Sequence, residues 1–259
     1  MKPPIILLAT LIFSLNLAAQ NNKSSEEYYR IVIYHFTSDT QQTSLDSYLK
    51  DAFVPGLHRA GIKQVGVFKP IANDTATDKK IYVFYSAATL DKMLALPVKM
   101  QKDPAYLEAA KNCLNAEYNH PCFVRTEVIL LQAFRLAPKM ELPVLKTEKK
   151  DHIYELRSYE SPTENLYENK VKMFNEGGEI TLFKRLGFNA VFYASVISGS
   201  RMPNLMYMTS FENMFERTAH WDIFRNDPEW KRLSSLPEYQ HNVSKADIIL
   251  MKAAEYSDF

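Results

Sequence analysis

Glycine is scarce in this chain. Seven glycines in 259 residues leave little for the loops that cradle phosphates, and no Walker loop, dinucleotide fingerprint or nucleophile elbow occurs. Cysteine is scarcer, with two residues, whereas structural zinc draws on four clustered ligands. His35, His58, His120, His152, His220 and His241 include no His-x-x-x-His pair, the spacing of a helical metal site. Neither a metal nor another cofactor is therefore expected. Charge of one sign is missing too: 31 basic residues face 30 acidic ones, and without Lys2 the balance is 31 − 1 − 30 = 0. Nucleic-acid binders carry a clustered basic excess, and the chain has none.

Long apolar runs are also missing. The longest, residues 5–17, is too short for an ordinary membrane span. It follows Lys2 and ends on Ala18-Ala19-Gln20, which is the grammar of a secretory signal peptide. Residues 1–19 are read as that peptide, cut near Ala19, with a buried or anchoring N-terminal helix as the alternative. The expected location is secreted or periplasmic, with no membrane span after cleavage and a mobile polar tail over 20–27. Export bears on Cys113 and Cys122. In an oxidising compartment they fit a short-loop disulfide. Two unpaired thiols, at a helix end and a strand start, fit the spacing as well.

What the chain does have is core material, 46% hydrophobic and 12% aromatic residues, and a pattern written twice. Residues 29–36, 65–68, 81–86 and 123–134 are dense in β-branched and aromatic residues and read as strands. Between them, 44–60 reads as a helix kinked or broken at Pro55-Gly56, and 90–114 as a two-piece helix broken before Asp103-Pro104. The order returns with strands at 153–159, 190–197, 205–211 and 246–253. A long helix is expected at 163–186, with Gly177-Gly178 inside it, and a second two-piece helix at 214–233, broken at Asp227-Pro228. The Asp-Pro breaks lie 124 residues apart. Each half reads β-α-β-β-α-β, the ferredoxin-like order, and repetition of order as well as residue type marks a duplicated unit. The first repeat is placed at 28–137, a linker at 138–151 and the second repeat at 152–259. One such unit leaves one sheet face uncovered, so two in one chain can pack those faces together. The fold class is therefore α+β: two tandem ferredoxin-like repeats forming an intrachain dimeric α+β barrel with a lumen between the sheets.

Strand alternation separates Tyr154, Leu156 and Ser158 from Glu155, Arg157 and Tyr159. The more apolar set suits packing under helices. The polar set is then expected in the lumen, opposite Arg30, Val32 and Tyr34. A carboxylate enclosed there needs a partner, and Arg157 or Arg30 can supply one. Glu155, Arg157, Tyr159, Arg30 and Tyr34 thus form either a handle for an anionic or carbonyl-bearing ligand, or an ion pair that fixes the register of the sheets. His220 and Trp221 invite a haem or oxygenase reading; half-buried packing on an aromatic-rich helix is the plainer one. Asp227 reads as a helix cap with Pro228 at the first helical position.

Ile153-Tyr154-Glu155-Leu156-Arg157-Ser158-Tyr159 resembles the Tyr-Glu-Leu-Arg-x-Tyr opening of the NIPSNAP family. His220-Trp221 with Phe224, then Asp227-Pro228-Glu229-Trp230, is similar to that family's second-helix pattern. The resemblance spans nearly all of 151–257 and identifies the chain as an exported NIPSNAP-like protein. The first half matches more loosely, lacking the Glu and Arg at the equivalent strand positions and carrying Tyr106 where the second has Trp230. The resemblance implies a tandem dimeric α+β barrel and little about activity, because the family's role is largely undefined. The wider barrel superfamily also includes cofactor-free oxygenases and haem-degrading enzymes. The expected function is a non-catalytic ligand-binding or protein-interaction module whose partner is an unknown small molecule or protein, with self-association left open. The alternative is a cofactor-free or haem-dependent small oxygenase using the barrel lumen.

Overall fold

The structure, a computed structural model, describes residues 25–259; the expected signal peptide lies outside them. The first half comprises β1 (Tyr28–Phe36), α1 (Asp39–Tyr48), α2 (Val54–Arg59), β2 (Val65–Pro70), β3 (Lys79–Ala87), α3 (Leu90–Gln101), α4 (Pro104–Leu114) and β4 (Arg125–Ala133). The second comprises β5 (Ile153–Glu160), α5 (Glu164–Asn175), α6 (Glu179–Arg185), β6 (Asn189–Ser198), β7 (Asn204–Phe211), α7 (Met214–Asn226), α8 (Pro228–Ser235) and β8 (Lys245–Ala253). The eight strands close into one antiparallel barrel in the order β1-β3-β2-β8-β5-β7-β6-β4. Each half contributes four neighbouring strands, and the halves join where β2 meets β8 and β4 meets β6. This is the tandem α+β barrel expected from the duplicated pattern. Among the described residues no helix is long and apolar enough to cross a membrane.

Alternation along each strand decides what faces inward. Tyr29 and Ile31 of β1, Phe84 of β3, Tyr154 and Leu156 of β5, Phe192 of β6 and Met208 of β7 form one buried cluster in the lumen. Phe84 stacks on Phe192 at 4.8 Å, and Phe68 meets Tyr154 at 4.7 Å. The C-terminal Phe259 packs against Phe68, Phe84 and Tyr154. The lumen is therefore a packed core through its middle, not an open channel.

The Asp-Pro punctuation behaves as a helix start in both halves. Asp103 accepts from the backbone N–H groups of Ala105 and Tyr106, and Asp227 from those of Glu229 and Trp230. Each cap also holds the arginine that ends α2 or α6, Arg59 on Asp103 at 2.7 Å and Arg185 on Asp227 at 2.8 Å. Three local expectations change. No break occurs at Pro55-Gly56: a π turn over Leu49–Phe53 joins α1 to α2, and the wider turn accommodates a proline that cannot donate to the carbonyl four residues back. The long helix at 163–186 is two helices, because Gly178 takes φ +94 ahead of α6, a conformation cheap only for glycine. The end of the polar tail is anchored: Glu26 accepts from Gln132, and Glu27 from the backbone of Met140 and Ala133. Cys113 and Cys122 are joined by a disulfide with a Cα separation of 5.3 Å, tying the last turn of α4 to the approach of β4.

If the lumen core holds the halves together, Phe84→Ala should be among the most damaging substitutions. Phe84 is 1% exposed, and emptying such a site costs about 3–5 kcal/mol. A guanidinium midpoint that moves by less than about 1 kcal/mol equivalent at constant slope would show that the lumen is not the core.

Candidate functional site

The polar face of β5 lies outside the barrel, under α7. Asn213 caps α7 by accepting from Glu216, and the helix then presents Arg217 and Trp221, one turn apart, to the same carboxylate. Glu155, 0% exposed, accepts from Arg157 Nε at 2.5 Å, Arg217 Nε at 2.6 Å and Trp221 Nε1 at 2.9 Å. The Arg157 guanidinium carbon lies 3.7 Å from the centroid of the Trp221 ring. Its Nη1 donates to Tyr159 at 2.9 Å, whose hydroxyl is 2.9 Å from that of Tyr207. Burial works to raise the Glu155 carboxyl, but the Arg217 bond and the Arg157 charge outweigh it and hold the group below the ordinary glutamate range.

The lumen placement expected for Glu155, Arg157 and Tyr159 is thus overturned. A closed barrel buries both faces of a strand, so alternation separates the faces without saying which is inner. Tyr154 and Leu156 pack into the lumen, and a helix some 60 residues later supplies the polar face with partners. Arg30 and Tyr34 do not meet this group either; they lie on the outer face of the first sheet, under that half's own helices. His220 is placed by packing. Its Nδ1 bonds the Glu216 carbonyl, and its ring sits against Phe188 and Phe211. Arg217 and Tyr207 complete the network and were not singled out from sequence; the Arg217–Trp221 spacing was the available signal.

The first half has the same positions with different contents. Arg30 pairs with Tyr85 across β1 and β3 as Glu155 pairs with Thr209 across β5 and β7, so Arg30 stands where Glu155 does. Val32 stands where Arg157 does. On the helix, counting 124 residues from the matching Asp-Pro breaks, Met93 takes the place of Arg217 and Pro97 that of Trp221. Where the second half has an indole and two guanidinium groups, the first has smaller apolar side chains. The result is a cavity of about 450 Å³ between sheet and helices. Val32, Phe53, Leu96, Pro97, Met100 and Phe123 give its walls an apolar character, and Tyr34, Tyr48, Tyr85 and Tyr106 bring hydroxyls to it. Those of Tyr48 and Tyr106 lie 2.9 Å apart. Leu107, Leu114 and Val128 line the same space and are part-exposed, which puts the entrance near the Cys113–Cys122 bridge. Burial raises the Tyr34, Tyr48 and Tyr85 hydroxyls, that of Tyr85 to about 12.

A further opening of about 490 Å³ lies at one end of the lumen, where inward positions turn polar. His35 bonds Asp78 there at 2.7 Å, and the charged rim is paired within itself, Arg125 with Glu127, Arg201 with Asp247 and Lys80 with Asp78. Among the described residues, no group of three or more His, Cys, Asp or Glu side chains is placed to hold a metal ion.

Residues 154–258 match the NIPSNAP family model. No curated protein matches the chain. Solved structures with the same fold include a candidate monooxygenase of Lactobacillus acidophilus, with TM-score 0.56 and 10% identity over 88% of this chain and 94% of that one. A candidate monooxygenase of Fusobacterium nucleatum gives TM-score 0.58 at 8% identity over 88% and 93%. An anthrone oxidase-like protein gives TM-score 0.54 at 8% identity over 90% and 93%. At such identities the likeness is one of fold.

The Glu155 network predicts a pH and a mutational response. Its folded carboxyl is depressed, so its contribution is complete above the ordinary glutamate value of about 4.3 and is lost as pH falls through the lower folded value. Glu155→Gln leaves two buried guanidinium groups without their anion and should cost about 3–5 kcal/mol at neutral pH. It should also flatten the acid limb of stability against pH. Urea titrations of both proteins from neutral to acid pH measure this, and parallel acid limbs would remove Glu155 as the cause.

Proposed function

We propose that this protein, whose residues 154–258 form a NIPSNAP domain, is a ligand-binding module whose site is the sheet–helix cavity of its first half. One observation carries the reading: the same space is filled in one half and open in the other. Trp221 and its partners close the second copy, whereas Pro97 leaves a cavity of about 450 Å³ in the first. That size and lining suit a small molecule, since such sites are concave, mostly apolar and furnished with a few polar groups.

The lining favours recognition over acid–base chemistry. A group that exchanges protons in catalysis works best with a value near the operating pH, and burial moves the cavity's Tyr34, Tyr48 and Tyr85 the other way. The neighbours named as monooxygenases or oxidase-like share a fold, and fold alone transfers no reaction. The lumen, where an oxygenase reading would put its substrate, is occupied by Phe84, Phe192 and their neighbours.

The test uses a neutral, environment-sensitive aromatic probe, phenylnaphthylamine, on the full chain. Saturable, blue-shifted fluorescence is expected from the wild type and should be lost in Pro97→Trp, which introduces the second half's residue. Circular dichroism checks that the variant is folded. A folded Pro97→Trp protein that binds the probe as the wild type does would place the probe elsewhere and sink the assignment.

A further inference from the structure

Packing does not account for Arg30. Among the described residues it is the one charged side chain on the cavity lining, and none of them brings a carboxylate to that space. Its Nε is buried and has no hydrogen-bond partner among the described residues. The second half shows what a charge at this position needs: Glu155 is answered by Arg157, Arg217 and Trp221. The first half keeps the charged position but inverts its sign. At the three answering positions it has Val32, Met93 and Pro97, none of which offers an anionic or oxygen acceptor. Burying a guanidinium N–H without an acceptor is costly, and no hydrogen bond among the described residues recovers that cost at Nε.

The groups around Arg30 point the same way. Its charge acts on the Tyr34 and Tyr85 hydroxyls, opposing the rise that burial causes in both. Both phenols remain protonated at neutral pH and can donate. A planar guanidinium offers a fork of N–H donors that matches a carboxylate in two parallel bonds. A cationic fork beside neutral O–H donors, at an apolar and aromatic cavity, is a receptor for an anionic head on an apolar body.

We infer that the cavity takes a carboxylate: a small aromatic or aliphatic acid whose anionic head lies on Arg30 and whose body lies among Phe53, Leu96, Pro97, Met100 and Phe123. This rests on the cavity being the ligand site, as proposed above. Val32, where the second half has Arg157, leaves room for the head beside Arg30. The disulfide-tied end of α4 borders the side from which the body enters.

Naphthoate and naphthamide, the same ring bearing a charged or a neutral head, separate the two readings. Titration of the full-length protein by fluorescence or calorimetry at neutral pH should show naphthoate binding at least about tenfold tighter than naphthamide. Arg30→Met should erase the difference by weakening the acid and sparing the amide, and Arg30→Lys should keep part of it. Thermal melts give a second readout. Arg30→Met should leave the ligand-free protein at least as stable as the wild type, since the buried Nε has no partner among the described residues to lose, and should abolish the stabilisation by naphthoate. Equal affinity for acid and amide overturns the carboxylate inference and leaves the cavity as a ligand site. Binding of the acid unchanged in Arg30→Met also overturns it. Failure of both compounds to bind the wild type overturns the site and the inference together.

Discussion

A four-stranded sheet with apolar side chains on both faces needs two covers, and the helices of a ferredoxin-like unit supply one. The other is the equivalent face of the second unit. Closing the barrel buries Tyr29, Phe84, Tyr154, Phe192 and Met208 against one another and leaves no free edge among the eight strands. Burial of large aromatic and aliphatic side chains is the leading favourable contribution in such a core. Everything else follows from how fully the inner faces are engaged. With the middle of the lumen packed, room for a ligand of any size remains between sheet and helices or at the barrel mouth. Both the Glu155 network and the Arg30 cavity lie between sheet and helices.

The two halves show what that space can hold. In the second, Trp221, Arg157 and Arg217 converge on Glu155, and the buried charge is fully answered. Aromatic contacts from Phe183, Phe188 and Phe224 to Trp221 fill the remainder. In the first, Pro97 in place of the indole and Val32 in place of a guanidinium leave a cavity where the buried Arg30 Nε has no acceptor among the described residues. A buried network with all its members satisfied gives rigidity, whereas a half-satisfied one is a liability for the fold. A liability of that kind is expected where binding has been favoured over stability.

The duplicated architecture was legible in the sequence because its punctuation is local. Asp103-Pro104 and Asp227-Pro228 set helix starts whatever surrounds them, and the strands carry their own alternation. The inner face of β5 was not legible. Tyr154-Leu156-Ser158 and Glu155-Arg157-Tyr159 alternate cleanly, but in a barrel covered by helices both sets are enclosed, and polarity no longer marks the side near water. Glu155 is satisfied by Arg217 and Trp221, more than 60 residues away, and no local rule links them. Nor could spacing show that the first copy is open. That depends on Pro97 matching Trp221, a correspondence that carries meaning only once both are seen to lie over the same strand positions. The π turn at Leu49–Phe53 was hidden for a similar reason: Pro55 signals a break, and the chain absorbs it by widening the helix beforehand.

The segment 138–151 gives the barrel a property that a barrel of two separate chains lacks. Residues of this connection are pinned to both halves, Met140 to Glu27 and Thr147 to Glu212, so the association of the halves is an intramolecular event. Its equilibrium is independent of protein concentration, and dilution does not dissociate it. In a symmetric pair of identical chains, any residue placed under one sheet appears under the other, and a position such as Arg30 could not coexist with Glu155. Joining the copies removes that identity. One sheet–helix space is then free to become wholly structural while its twin keeps a cavity.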